Sequence, residues 1–182
     1  MLSKTSMLYQ YLTGFKHAFF TSIICFVMSF FLLPLNTNFE WTIWPCQVIL
    51  LLIFVISIYI PFWDCGFRDR NYIRGGKLKK DLFRGTKVGF LIAIPYFVSA
   101  LLMVLLKFNL VKWVSYIFIF FNSCFYYFID GMIAKPDPFL TPWWAIIVFI
   151  VMPIIIPIVS SLGYILGLHE ISLKEKILYT KK

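Results

Sequence analysis

Residues 42–87 read TIWPCQVILLLIFVISIYIPFW and then DCGFRDRNYIRGGKLKKDLFRGTK. The first block, Thr42–Trp63, holds no Asp, Glu, Lys or Arg. At ~1.5 Å of rise per residue, a helix of about 20 apolar residues crosses the ~30 Å hydrocarbon core of a bilayer. Lipid offers no hydrogen-bond partners, so a spanning backbone must satisfy its own N–H and C=O groups as a helix or in a closed barrel. The apolar residues here run on without the alternation a barrel strand needs, which selects the helix. The second block carries Arg68, Arg70, Arg74, Lys77, Lys79, Lys80, Arg84 and Lys87 against only Asp64, Asp69 and Asp81. Such an excess of bases beside a span marks the cytoplasmic side, so the sequence predicts a basic cytoplasmic loop over 64–87.

Working outward, four further apolar runs meet or approach spanning length: 17–35, 88–106, 111–129 and 142–167. With 42–63 they predict an all-α, polytopic transmembrane bundle of about five membrane helices in a single membrane domain, 1–182. Composition agrees, because 61% hydrophobic and 14% charged residues leave a domain of this size more apolar surface than water tolerates. The run after Lys16 is longer than the hydrophobic region of a signal peptide and lacks a small-residue cleavage site, so it is read as a retained helix. Residues 1–16 space Met7, Leu8, Tyr11, Leu12 and Phe15 as a helical stripe, which suggests a short interfacial helix. The link Asn36–Trp41 contains Glu40 and no base, and Trp41 and Trp44 sit beside it as interfacial indoles, which places it outside. The N-terminus is then cytoplasmic.

The other end of the chain conflicts with this count. Five crossings put the C-terminus outside, yet the tail 168–182 holds Lys174, Lys176, Lys181 and Lys182 against Glu170 and Glu175. One resolution is that 111–129, which contains Ser115, Asn122 and Ser123, does not cross fully; the other is a tail that departs from the charge rule. Ser172 and Glu175 have capping-box spacing and predict an amphipathic tail helix. Lys107–Lys112 is short enough to demand an antiparallel hairpin, Pro136 and Pro138 stop the fourth run, and Pro153 and Pro157 should kink the last.

Chemistry-bearing patterns are sparse. Cys25, Cys46, Cys65 and Cys124 form neither C-x-x-C pairs nor a disulfide framework, and His17 and His169 lack ligand-spaced partners, so no metal or other cofactor is expected. Gly75–Lys77 and Gly85–Lys87 lack the spacing and the preceding strand of a phosphate-binding loop. The net charge of +9 is ascribed to topogenic loops and not to nucleic-acid binding. Arg68, Arg70, Arg74, Lys77, Lys79, Lys80 and Arg84 are candidate contacts for anionic lipid headgroups at the cytoplasmic face. Asp64, Arg68, Asp69 and Asn71 form a candidate cytoplasmic polar site. Ser160, Gly163 and Gly167 make a small-residue stripe suited to close helix packing within the bundle. Apart from Lys112 at the start of 111–129, the apolar runs contain no Asp, Glu, Lys or Arg, which disfavours a charge-driven pump.

Two resemblances bear on function. Asp130–Lys135 resembles the D-G-x-x-A-R opening of the CDP-alcohol phosphatidyltransferase signature, but Lys135 replaces the arginine, Tyr127 stands in place of an earlier aspartate and the downstream aspartates are missing, so it carries no activity here. WDCGFRDRN (63–71), FRGTKVGFLIAIP (83–95) and GYILGLHEISLKEKILY (163–179) are similar to segments of uncharacterised small multi-pass membrane proteins of low-GC Gram-positive bacteria. That resemblance implies a bacterial cell-membrane location and no activity. The expected function is a non-enzymatic accessory or partner-binding membrane component. A small channel or transporter subunit, with a polar path around Gln47, Asn122 and Pro153–Pro157, is the first alternative. A lipid-acting enzyme using Asp64, Arg68, Asp69 and Arg70 is the second.

Overall fold

The computed structural model describes residues 6–38, 40–107, 113–132 and 141–170. All regular structure among them is helical. The helices are α1 (Met7–Asn38), α2 (Ile43–Arg74), α3 (Arg84–Lys107), α4 (Val114–Phe121), α5 (Tyr126–Met132), α6 (Trp143–Val151) and α7 (Ile155–Leu168). A 3-10 turn at Met152–Ile154, which contains Pro153, joins α6 to α7. The result is one apolar rod, Trp143–Leu168. Among the described residues, four helices are long and apolar enough to cross a membrane: Met7–Leu32, Ile43–Arg74, Arg84–Leu105 and Trp143–Leu168.

The helices overrun the apolar runs that announce them. The first run, drawn at 17–35, extends back to Met7, so the separate interfacial helix expected over residues 1–16 is the opening of α1. The connection drawn at Asn36–Trp41 is helical through Asn38, followed by a 3-10 turn at Glu40–Thr42. The loop expected over 64–87 is mostly helix as well, since α2 continues to Arg74 and α3 begins at Arg84. At 32 residues, α2 is about 48 Å long and outreaches the ~30 Å hydrocarbon core. It continues because Phe62, Cys65, Gly66 and Asp69 stay buried on one face beyond the last apolar turn.

Gly75 and Gly76 stop it. Gly76 adopts φ +68°, a conformation open to a residue without Cβ. Its N–H bonds to the Ile73 carbonyl at 3.0 Å and that of Lys77 to the Tyr72 carbonyl at 2.9 Å, the Schellman pattern that satisfies a helix's last carbonyls. The basic loop is thereby reduced to a turn at residues 75–83. Within it, Asp81 accepts from the Phe83 N–H at 3.0 Å and from the Lys87 ammonium at 2.8 Å. The hydrogen bond from Lys87 holds the Asp81 carboxyl below its ordinary pKa.

The run expected to form a helix over 111–129 is broken. The chain turns at Asn122–Phe125 between α4 and α5. α4 starts near the end of α3 remote from Arg84 and runs antiparallel to it, which brings the Asn122 amide to Ser99 at 3.2 Å. Ser123 then donates to the Ser22 carbonyl at 2.7 Å, and Tyr127 to the Ser29 carbonyl at 3.1 Å. Ser22 to Ser29 is a climb along α1 away from its N-terminal end, so α5 returns toward the end from which α4 set out. Ile129 accordingly rejoins Phe118, Met103, Ala145 and Phe149 in one apolar cluster. The pair is a hairpin that enters the bundle and turns back, with an eight-residue first arm about 12 Å long. Non-helical backbone within a membrane is tolerated only where protein surrounds it, and Asn122, Ser123 and Cys124 are all buried.

The four long helices alternate in direction and the α4–α5 hairpin starts and ends on one side, which puts the start of α1, the 75–83 turn and the end of α7 at the same end of the bundle. The conflict between five crossings and the basic tail does not arise. Tail residues 171–182, with the expected capping box at Ser172 and Glu175, lie outside the described residues, as do Lys4, 108–112 and Lys135–Leu140.

Gly163 and Gly167 let α7 lie directly on α2. A Cβ at Gly163 would press on the Tyr59 carbonyl oxygen, and one at Gly167 would collide with that of Trp63. Gly66 returns the relation, with its missing Cβ facing the Tyr164 carbonyl. On the other side of α7, Gly85 and Gly89 receive Tyr164 and Ser160, whose hydroxyl donates to the Gly85 carbonyl at 3.1 Å. Gly85 and Gly89 have the same small-residue spacing as Gly163 and Gly167, and that spacing was their signal in the sequence. Close backbone approach of this kind drives helix association in lipid, where burial of apolar surface gives no net advantage.

Candidate functional site

The cytoplasmic polar site expected from Asp64, Arg68, Asp69 and Asn71 does not form as one cluster. These residues lie on a continuous helix, and a helix turns ~100° per residue, so consecutive side chains leave in different directions. Asp69 points inward, Arg68 and Asp64 face a groove beside α1, and Asn71 is exposed. Arg70 turns to the opposite side, where it pairs with Glu170 after α7.

Asp69 is 1% exposed and sits at the junction of four helices. Its Oδ2 accepts from Gln10 Nε2 of α1 at 2.9 Å and from the Tyr164 hydroxyl of α7 at 2.9 Å. Arg84 of α3 places a terminal nitrogen 3.5 Å from the same oxygen and donates Nε–H to Gln10 Oε1 at 3.1 Å. Gln10 thus relays between acid and base, accepting from one and donating to the other. Asp69 Oδ1 is buried with no hydrogen-bond partner. Arg84, 7% exposed, is consequently no lipid contact, contrary to its place among the surface bases. Apart from Lys112, the apolar runs hold no Asp, Glu, Lys or Arg, but the helical extensions of two of them hold this pair.

The remaining bases are spread around the same end. Arg74 is mostly exposed and lies 3.9 Å from Glu170. Lys77, Lys79 and Lys80 stand exposed on the turn. Arg70, Arg74, Lys80 and His169 also line a cavity of about 180 Å³.

A second polar layer fixes the α4–α5 hairpin. Gln47 donates Nε2–H to the Cys124 carbonyl at 2.7 Å and accepts the Phe128 N–H at 3.2 Å. Ser22 and Tyr96 pair through their hydroxyls at 3.0 Å. Gln47 thus serves two backbone groups at the break, and Asn122 links the Ser99 hydroxyl to the Phe118 carbonyl. Thr21 and Ser57 pair between α1 and α2 in the same region.

An outward-facing groove also opens at the polar end. It encloses about 350 Å³ between α1 and α2. Tyr9, Thr13 and His17, spaced four apart, line one wall, and Asp64 and Arg68 line the other. Ile60, Pro61 and Phe67 supply its apolar surface. Arg68 is held in place: its Nε donates to the Asp64 carbonyl at 3.2 Å, a terminal nitrogen reaches Cys65 Sγ at 3.3 Å, and the guanidinium lies 5.8 Å from the Tyr9 ring. Sequence reasoning found Asp64 and Arg68 but missed Tyr9, Thr13, His17 and Gln10. The i, i+4, i+8 spacing of Tyr9, Thr13 and His17 was the available signal for a polar helix face.

Among the described residues, no three His, Cys, Asp or Glu side chains gather as a metal site. Comparison of the chain with protein-family models, with curated proteins and with solved structures returns no match.

Proposed function

We propose that this chain is a non-enzymatic component of a bacterial cell membrane, a rigid helical scaffold that serves a partner membrane protein. The supporting observation is where its interior polar groups are spent. Gln10, Asp69, Arg84 and Tyr164 tie the four long helices together, and Gln47, Ser22, Ser99 and Asn122 bind the hairpin. Catalysis needs groups that converge on one reacting atom, whereas Asp64 and Arg68, Asp69, and Arg70 face three directions. The exposed Arg74, Lys77, Lys79 and Lys80 suit contact with anionic lipid, at ~1 kcal/mol per base near the surface.

The basic turn and both termini are assigned to the cytoplasm by the positive-inside rule. Reporter domains fused to either terminus should both read cytoplasmic, and a reporter inserted at 40–42 should read external. Termini reporting opposite sides would refute this topology.

The α4–α5 hairpin favours one other reading, a small channel or transporter subunit, because polar hairpin tips within a bilayer can line solute paths. Reconstitution in liposomes separates the two. The scaffold reading expects no solute flux, and it expects a stoichiometric membrane-protein partner whose abundance falls when this chain is deleted. Flux that disappears in Asn122→Leu, measured on a variant that still folds, would replace it with the channel reading.

A further inference from the structure

We infer that the groove between α1 and α2 seats one phospholipid whose headgroup carries a primary ammonium, with its phosphate on Arg68 and its ammonium on Asp64. The inference does not depend on the scaffold reading. Three observations carry it.

The first is charge. The groove offers one guanidinium and one carboxylate side by side, with the His17 imidazole and the Thr13 hydroxyl on the facing wall. A zwitterionic headgroup presents the complementary pair, a phosphate and an ammonium joined by a short linker. A planar guanidinium suits phosphate oxygens, and a carboxylate accepts the N–H bonds that an ammonium donates.

The second is the level at which the groove lies. His17 opens the apolar run of α1 and Asp64 closes that of α2, so both mark the edge of the hydrocarbon, where headgroups sit. Directly along the same face of α1, at steps of three or four residues, come the exposed Phe20, Ile24 and Val27. Ile60 and Ile56 continue the α2 wall and are exposed too. One track therefore passes from polar to apolar in the order in which a lipid passes from headgroup to acyl chain.

The third is preorganisation. Arg68 is fixed by Asp64, Cys65 and Tyr9 before any ligand arrives. A side chain already held in place forfeits less entropy on binding.

The test uses the full chain in nanodiscs with equal parts phosphatidylethanolamine, phosphatidylcholine and phosphatidylglycerol, followed by native mass spectrometry of the released protein. One retained lipid, enriched in phosphatidylethanolamine, is expected. Arg68→Ala should lower retention of any phospholipid about tenfold, the scale of one charge-assisted hydrogen bond. Asp64→Asn should keep the lipid and lose the preference for the primary ammonium over choline. Ile60→Trp fills the apolar end of the groove without touching a charge and should also cut retention, which preserves the test if Arg68→Ala fails to fold. Retention that ignores both Arg68→Ala and Ile60→Trp, or phosphatidylglycerol held as well as phosphatidylethanolamine, overturns the inference. So does displacement by water-soluble glycerophosphoethanolamine, which would make the ligand a free headgroup.

Discussion

Asp69→Ala is expected to destabilise the bundle by about 3–5 kcal/mol, because it removes the buried carboxylate that lies against the Arg84 guanidinium. The same change removes the acceptor of the Gln10 amide and the Tyr164 hydroxyl, at 2.9 Å each, so α1 and α7 lose their polar tie to α2 together. Replacing both ions with apolar residues of similar bulk, Asp69→Leu with Arg84→Met, should recover the part of the loss that comes from the buried charge, while the Gln10 and Tyr164 polar groups stay without their partners. Equilibrium unfolding of the two single variants and the double variant in detergent gives the coupling directly. Additive single effects would show that Asp69 and Arg84 act independently and that the cluster is not a unit.

Gln47→Leu should have an effect of similar order on a different part of the molecule. It leaves the Cys124 carbonyl and the Phe128 N–H without their partner, and each unmet buried group costs about 1–3 kcal/mol. Phe128 lies in the first turn of α5, where helix N–H groups lack intrahelical acceptors, so Gln47 caps a helix from across the bundle. The expected result is fast amide hydrogen exchange confined to 122–132, with the cluster at Asp69 unchanged. Uniform loss of protection throughout the chain would mean that the hairpin and the four crossings unfold as one.

Membrane helices were readable in this sequence because their cause is local: lipid requires about 20 apolar residues in a row. Their ends were not, because beyond the hydrocarbon a helix persists wherever one of its faces stays buried. Phe62, Cys65 and Asp69 keep α2 helical to Arg74 in just this way, while Gly75 and Gly76, whose stopping power was available in the sequence, mark the true end. The hairpin was harder. Hydropathy does not separate a segment that crosses from one that enters and returns, and only Ser115, Asn122 and Ser123 hinted at a break.

The site was legible in residue type and illegible in direction. Asp64, Arg68, Asp69 and Arg70 drew notice as neighbours in sequence, but treating 64–87 as a loop concealed that helical rotation sends them to separate places. Gln10 is silent in the sequence because its partners lie 59 and 74 positions away, and no local pattern encodes such pairings. Glycine spacing survived the passage from sequence to structure best, since Gly163 and Gly167 fall against α2 where a Cβ would collide with backbone.

All four cysteines are unpaired and buried, and each is lodged in a different part of the assembly: Cys25 in α1, Cys46 and Cys65 at opposite ends of α2, and Cys124 at the hairpin tip. A maleimide added from water meets none of these sulfurs while the bundle is closed, so the rate of alkylation becomes a clock for opening. Peptide mapping of the adduct then tells which part opened, Cys124 for withdrawal of the hairpin and Cys65 for parting of the charged end. The unaltered chain thus carries its own set of motion sensors.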